Sequence, residues 1–212
     1  MSLIVIDGID GTGKSTQAAL LEKTLLENGR EHDVVRIAEP TKSPFGMKIR
    51  EAMMSAKKRL SFEQELDLFI QDRQYNVENN IKPALVEGKT VILDRYYFST
   101  AAYQGARGKL SWQEIIAMNE AFAPVPDIVF FFFMPVDEAL KRIDKDATEA
   151  KRGSRSYMEK KDNLEKVQAI FQQIHDSGAY NAIYIDATNA IDDIQAQIWN
   201  SCEKVLLNKI NS

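Results

Sequence analysis

The chain has 212 residues, 44% of them hydrophobic and 27% charged, enough apolar material for a sizeable core and too much for a disordered chain. Lys and Arg number 27 against 31 Asp and Glu, a net charge of −4 that argues against a general nucleic-acid coat. A single cysteine, Cys202, cannot close an intrachain disulfide, and only two histidines accompany it, which excludes a Cys/His zinc site and points to a reducing, cytoplasmic compartment.

The N-terminus leads straight into an apolar strand pattern, Leu3-Ile4-Val5-Ile6, with no basic leader ahead of it. Helical spacing follows over 14–28, with Gly29 placed to end the helix. Residues 34–37 read as a second strand ending at Glu39-Pro40. A shorter helix is predicted over 45–56 and a long one over 61–86, opened by the capping-box pattern Ser61-Phe62-Glu63-Gln64. Strand three covers 90–93 and closes on Asp94. Helices over 98–104 and 111–122 precede strand four at 128–133. The apolar run there stops at Met134, far short of the ~20 residues a membrane span requires. Another helix starts near Val136, and a charged patch over 144–161 interrupts the pattern. A helix to about 177, a fifth strand at 183–185 and a last helix over 191–207 complete the chain. Five apolar strands separated by helices predict a single α/β domain over 1–212, its parallel sheet covered on both faces.

The strongest motif is Gly8-Ile9-Asp10-Gly11-Thr12-Gly13-Lys14-Ser15, followed by Thr16, which matches G-x-x-x-x-G-K-[ST] between a strand and a helix. Its glycines let backbone N–H groups turn toward phosphate oxygens, and the helix N-terminus adds partial positive charge. Lys14 is expected at the β- and γ-phosphates of ATP, and the Ser15 hydroxyl on Mg²⁺. A GTP switch would need an Asn-Lys-x-Asp motif. Asn208-Lys209-Ile210-Asn211 lacks the Asp and follows no strand. A motor ATPase would close strand three on Asp-Glu, whereas this strand closes on Asp94-Arg95-Tyr96. That puts a cation at the sheet edge beside the loop, as a kinase needs for a second, acceptor phosphate.

At this point the sequence resembles the thymidylate kinase family. The matching blocks are Asp7 to Thr16, Glu39-Pro40, Leu68-Phe69-Ile70-Gln71-Asp72-Arg73, Ile81-Lys82-Pro83-Ala84-Leu85, Asp94-Arg95-Tyr96 through Ser99-Thr100-Ala101-Ala102-Tyr103-Gln104-Gly105, Pro126-Asp127 and Ala139-Leu140-Lys141-Arg142. The resemblance implies a P-loop NTPase α/β/α fold with five parallel strands and a short lid over about 144–158. The implied reaction is phosphorylation of dTMP to dTDP by ATP with Mg²⁺, in a homodimer that has neither nucleic-acid nor membrane partners. It also implies that Phe69 stacks on the thymine ring, that Arg73 approaches the acceptor, and that Arg95 clamps its phosphate. Asp10 lies near the acceptor's sugar and phosphate and positions Arg95. Ser99, Thr100, Tyr103 and Gln104 surround base and sugar, Tyr103 filling the space of a ribose 2′-hydroxyl. Asp94 holds Mg²⁺ through water or orients Lys14, and Asp186-Ala187-Thr188-Asn189 borders the adenine. On their own residues, Phe69 and Tyr103 also read as core aromatics, and Arg73 as a surface ion pair.

Members with this phosphate loop carry a helper arginine in the lid. Arg155 aligns with it and Arg152 is the second choice. The arginine that many bacterial relatives have before Glu-Pro is Ala38 here, leaving Lys42, Arg36 or Arg50 to replace its charge. Ile70-Gln71 also stands where the family usually has two small residues. The alternatives to dTMP phosphorylation are a related kinase acting on dUMP or thymidine, and an ATP-binding regulatory protein without turnover.

Overall fold

The computed structural model describes residues 1–28, 33–54, 60–149 and 160–208. Five parallel strands, β1 (Ser2–Gly8), β2 (Val34–Ala38), β3 (Thr90–Asp94), β4 (Ile128–Phe133) and β5 (Ala182–Asp186), form one sheet in the order β2-β3-β1-β4-β5. The three inner strands are buried along their whole length, consistent with apolar runs covered on both faces. The outer two depart from the all-apolar expectation. In β2 Arg36 reaches out to Glu22, and in β5 Tyr184 is 45% exposed, because an edge strand is covered less and a charge there discourages further pairing.

Nine α-helices, α1 (Lys14–Glu27), α2 (Pro44–Met54), α3 (Phe62–Asn76), α4 (Lys82–Val86), α5 (Tyr97–Gly105), α6 (Trp112–Glu120), α7 (Val136–Glu149), α8 (Lys161–Asp176) and α9 (Ile191–Asn208), occur among the described residues. α1 packs with α9, and α5 packs with α8, α6 and α3, giving the sheet its two helical layers. No helix among the described residues is long and apolar enough to cross a membrane. The predicted capping box at Ser61 forms, with Ser61 Oγ accepting from the Gln64 amide and Gln64 Oε1 from the Ser61 amide. A second box forms at Ser111 with Glu114.

Two predicted helices need correction. The single helix expected over 61–86 carries a π-helical turn at Val77–Ile81. It lies just beyond Asn76, whose side chain bonds to Glu39, the kind of site where such turns occur. The helix beginning at Val136 does not stop at Asp144 but runs to Glu149. The Gly29 stop falls outside the described residues, as do Arg152 and Arg155. Cys202 is buried, and burial pushes its thiol up to about 12.

In this strand order the chain leaves β1 toward β2 and β3, then crosses back to β4. The carboxyl ends of β1 and β3 therefore flank the place where such sheets bind ligands.

Candidate active site

The loop after β1 opens into α1 through Gly13, whose φ of 85° suits a residue without a Cβ. No side chain caps α1, so its first N–H groups face the cleft that Asp10, Gly11, Thr12, Gly13, Lys14, Ser15 and Thr16 line. Gly8 and Ile9 lie beneath it, the Ile9 carbonyl accepting from Lys14 Nζ and the Gly8 carbonyl from Arg95. Burial, with Arg95 adding to it, brings the Lys14 ammonium down to about 8 against the pull of Asp10, Asp94 and Asp7. Ser15 Oγ donates to Asp94 Oδ2. Among the described residues no group of three His, Cys, Asp or Glu could cage a metal. A hydroxyl paired with one carboxylate beside a phosphate loop does suit Mg²⁺, which is held largely by phosphate oxygens and water.

Arg95 follows β3 with φ 71°, a left-handed conformation that non-glycine residues rarely adopt and that concentrates at functional sites. Asp7, fully buried, holds the turn: its carboxylate accepts from the backbone N–H groups of Gly8, Tyr96 and Ser99 and from the Ser99 hydroxyl. Burial pushes the Asp7 carboxyl up, opposed by Arg95 and Ser99. The Arg95 guanidinium donates to Gly8 O at 3.2 Å, Ser99 Oγ at 2.6 Å and Asp10 Oδ1 at 2.6 Å. Tyr103 Oη donates to the other Asp10 oxygen at 2.9 Å. Burial works to raise the Asp10 carboxyl, yet Arg95, Lys14 and Tyr103 together pull it down to about 2.

A second, narrow and mostly apolar slot adjoins the first cleft, and Asp10, Glu39 and Arg95 line both. Phe69, Met53, Pro40 and Tyr96 form its apolar walls, with Ser99, Thr100, Tyr103 and Arg73 among its polar lining. Phe69 and Arg73 lie one turn apart on α3 and so share a face. The loop after β2 is pinned by Asp72, which accepts from the Thr41 amide and from the hydroxyls of Thr41 and Ser43. Ser43 in turn accepts from the amides of Phe45 and Gly46 at the start of α2. Thr41 and Ser43 thus find a fixed partner where the bacterial pattern has other residues. Of the three cations that could replace the missing arginine, Arg50 on α2 lines the phosphate cleft and donates to Pro40 O. Arg36 is turned to Glu22, and Lys42 is exposed and lines neither cleft.

Gln104 does not join this wall. Lying one turn past Thr100 on α5, it meets the first turn of α3 instead, donating to Glu65 Oε1 at 2.6 Å. The predicted adenine border divides: Ala187 and Asn189 line the phosphate cleft with Arg142, Ile143, Ile191 and Ile194, whereas Asp186 and Thr188 line a groove farther along the sheet edge. Sequence reasoning assigned no role to Asp7, Asp72 or Asn119. Each is a polar side chain within or beside an apolar helix or strand and is almost wholly buried, which is the signal that marks it.

Sheet order, phosphate loop and a second slot sharing Asp10 and Arg95 with it define a P-loop phosphotransferase. A family model described as thymidylate kinase matches residues 6–198. A probable thymidylate kinase of Archaeoglobus fulgidus is 39% identical over 210 residues, 99% of each chain. The thymidylate kinase of Akkermansia muciniphila is 42% identical over 196 residues, covering 92% of this chain and 88% of its own. A crystal structure of thymidylate kinase from Ehrlichia chaffeensis superposes with a TM-score of 0.73 at 26% identity, over 95% of this chain and 98% of that one. The chain belongs to the thymidylate kinase family.

Proposed function

We propose that the protein transfers the γ-phosphoryl group of ATP to the 5′-phosphate of dTMP, giving dTDP and ADP. The observation that carries this reading is the common wall of the two clefts: Asp10 and Arg95 face a phosphate loop on one side and an aromatic slot on the other. A donor triphosphate on the loop and an acceptor monophosphate at Arg95 meet there, so that an acceptor oxygen attacks the γ-phosphorus in line with the breaking bond. Arg95 keeps two of its five N–H donors after its bonds to Gly8, Ser99 and Asp10, enough for a phosphate, and Arg50 adds a second cation nearby. Phe69 offers a flat face to the base, and Tyr103, fixed by Asp10, crowds the sugar. Ser15 and Asp94 are the residues suited to Mg²⁺, which when bound neutralises phosphate charge.

Lys14 stabilises charge developing on the β- and γ-oxygens, and a lid arginine, Arg155 before Arg152, completes the compensation. The protein works in the cytoplasm, which cell fractionation checks. The test of the reaction is ADP production from Mg·ATP with dTMP, dUMP, dCMP, dGMP and thymidine offered separately. Turnover with dTMP well above the others is expected, and Arg155→Ala lowers kcat by orders of magnitude at nearly constant dTMP affinity. ATP binding without turnover on any acceptor would overturn the proposal in favour of a regulatory protein.

A further inference from the structure

Two glutamines brace α1 against α9, and one of them lines the phosphate cleft. Gln17, in the first turn of α1, donates from Nε2 to the backbone carbonyl of Ile191 at 2.8 Å. From the other side Gln195 on α9 donates from Nε2 to Thr24 Oγ1 at 3.2 Å. Neither amide can be turned round. A backbone carbonyl only accepts, and the Thr24 hydroxyl gives its proton to Leu20 O. The oxygen ends therefore face away, and both Oε1 atoms are buried with no partner among the described residues.

An unpaired buried acceptor weakens a fold, and an apolar side chain of the same length would avoid it. Leu21, one turn on from Gln17, and Ile194 and Ile198, close to Gln195 on α9, are apolar and buried. Gln17, itself 2% exposed, is a polar exception among them. Its bond joins two parts of one cleft. α1 begins at Lys14 and the phosphate loop, and Ile191 opens α9 just after Asn189. The other anchors of that turn lie on the side of the sheet: the Ala187 amide donates to Phe133 O at 2.8 Å, and Asp186 Oδ1 accepts from the Thr188 amide and hydroxyl. Gln17 ties the turn's far end to the helix of the phosphate loop. Ala187, Asn189 and Ile191 line the cleft with that loop, and the Ile191 side chain is 55% exposed.

We propose that Gln17 is a positioning residue for the nucleoside end of the donor. It holds the start of α9 at a fixed distance from the phosphate loop, so that Ile191 and Ala187 meet the base of a nucleotide whose phosphates lie on the loop. This rests on the donor being a nucleoside triphosphate bound in this cleft, as proposed above. Gln17 acts through Ile191, since its own amide is almost wholly buried. A ligand that has the phosphates and lacks the nucleoside uses the loop alone and is indifferent to the tie.

The experiment measures binding of Mg·ATP and of magnesium tripolyphosphate to wild type, Gln17→Met and Gln195→Met, with steady-state constants and urea midpoints alongside. Gln17→Met removes both the bond and the unpaired oxygen at nearly constant length. It is expected to raise the Kd and KM for ATP about 3- to 10-fold. Tripolyphosphate binding and the KM for dTMP stay unchanged, and the urea midpoint is no lower than in wild type. Gln195→Met removes the same kind of brace from a position that does not line the cleft, and leaves ATP binding unchanged. Unchanged ATP affinity in Gln17→Met, an equal loss for tripolyphosphate, or a lower midpoint or failure to fold overturns the role of Gln17. So does an equal loss of ATP affinity in Gln195→Met, which would make the effect one of α1–α9 packing in general. Binding is read without an acceptor, so wild type that binds ATP but does not phosphorylate dTMP fails the reaction proposed above and leaves this inference standing.

Discussion

Lys14 is a cation held almost out of water, with Arg95 repelling it and three carboxylates attracting it, and its ammonium sits at about 8. A triphosphate on the loop places several negative charges against that ammonium and returns its affinity for protons toward the ordinary lysine range. ATP binding at pH 8 is therefore expected to take up about half a proton, and affinity falls as pH rises above 8. Calorimetric titration with ATP at pH 8, in buffers of different ionisation enthalpy, measures this directly. Lys14→Met should bind without the uptake, and a wild type that takes up none would sink the idea. For the unliganded protein the sign reverses. Between about 8 and 10.5 the unfolded chain holds more of the Lys14 proton than the folded one, so this residue's contribution makes stability rise with pH across that window.

Among the elements, α2 is placed by one contact that has no room to spare. A Cβ on Gly46 would stand 2.2 Å from the Thr41 carbonyl oxygen and 2.8 Å from Asp72 Oδ1. Neither gives way easily, since Thr41 is bonded to Asp72 and Asp72 holds the whole loop. Gly46→Ala is expected to lever α2 off the loop, with Met53 leaving the slot and Arg50 the phosphate cleft. The cost is about 1–3 kcal/mol. It would appear as a lower urea midpoint at unchanged slope, together with a raised KM for dTMP. An alanine variant with wild-type midpoint and KM would refute the argument.

That contact also shows which parts of the molecule were legible in the residues alone. The five strands, the phosphate loop and Arg95 are written locally, as an apolar run, a spacing or a strand end. What Thr41 and Ser43 do was not legible, because their partner Asp72 lies about thirty positions away on α3. Gln104 misled for the same reason. Its block matches the family, but its partner Glu65 on α3 is invisible from α5. Arg73 is buried and takes its acceptors, Glu39, Thr100 and Asn119, from the turn after β2, α5 and α6 at once.

At the scale of the whole molecule, α3 has two occupations. Its C-terminal half gives Phe69 and Arg73 to the slot, and its N-terminal half gives Phe62 and Leu66, with Ile70 beside them, to a surface groove completed by Leu110 and Met118. Met118 is 44% exposed there. We propose that a second copy of the chain covers this groove. Such a homodimer would press the first turns of α3 while the acceptor occupies its later turns, so loss of the partner would loosen the helix that carries Phe69 and Arg73. Met118→Glu puts a charge into the groove, away from both clefts. Sedimentation velocity at micromolar concentration is expected to show a dimer for wild type and a monomer for this variant. The monomer should have a raised KM for dTMP and an unchanged KM for ATP, since the phosphate loop belongs to β1 and α1, which do not line the groove. A monomeric wild type removes the partner, and a monomeric variant with wild-type kinetics removes the coupling through α3.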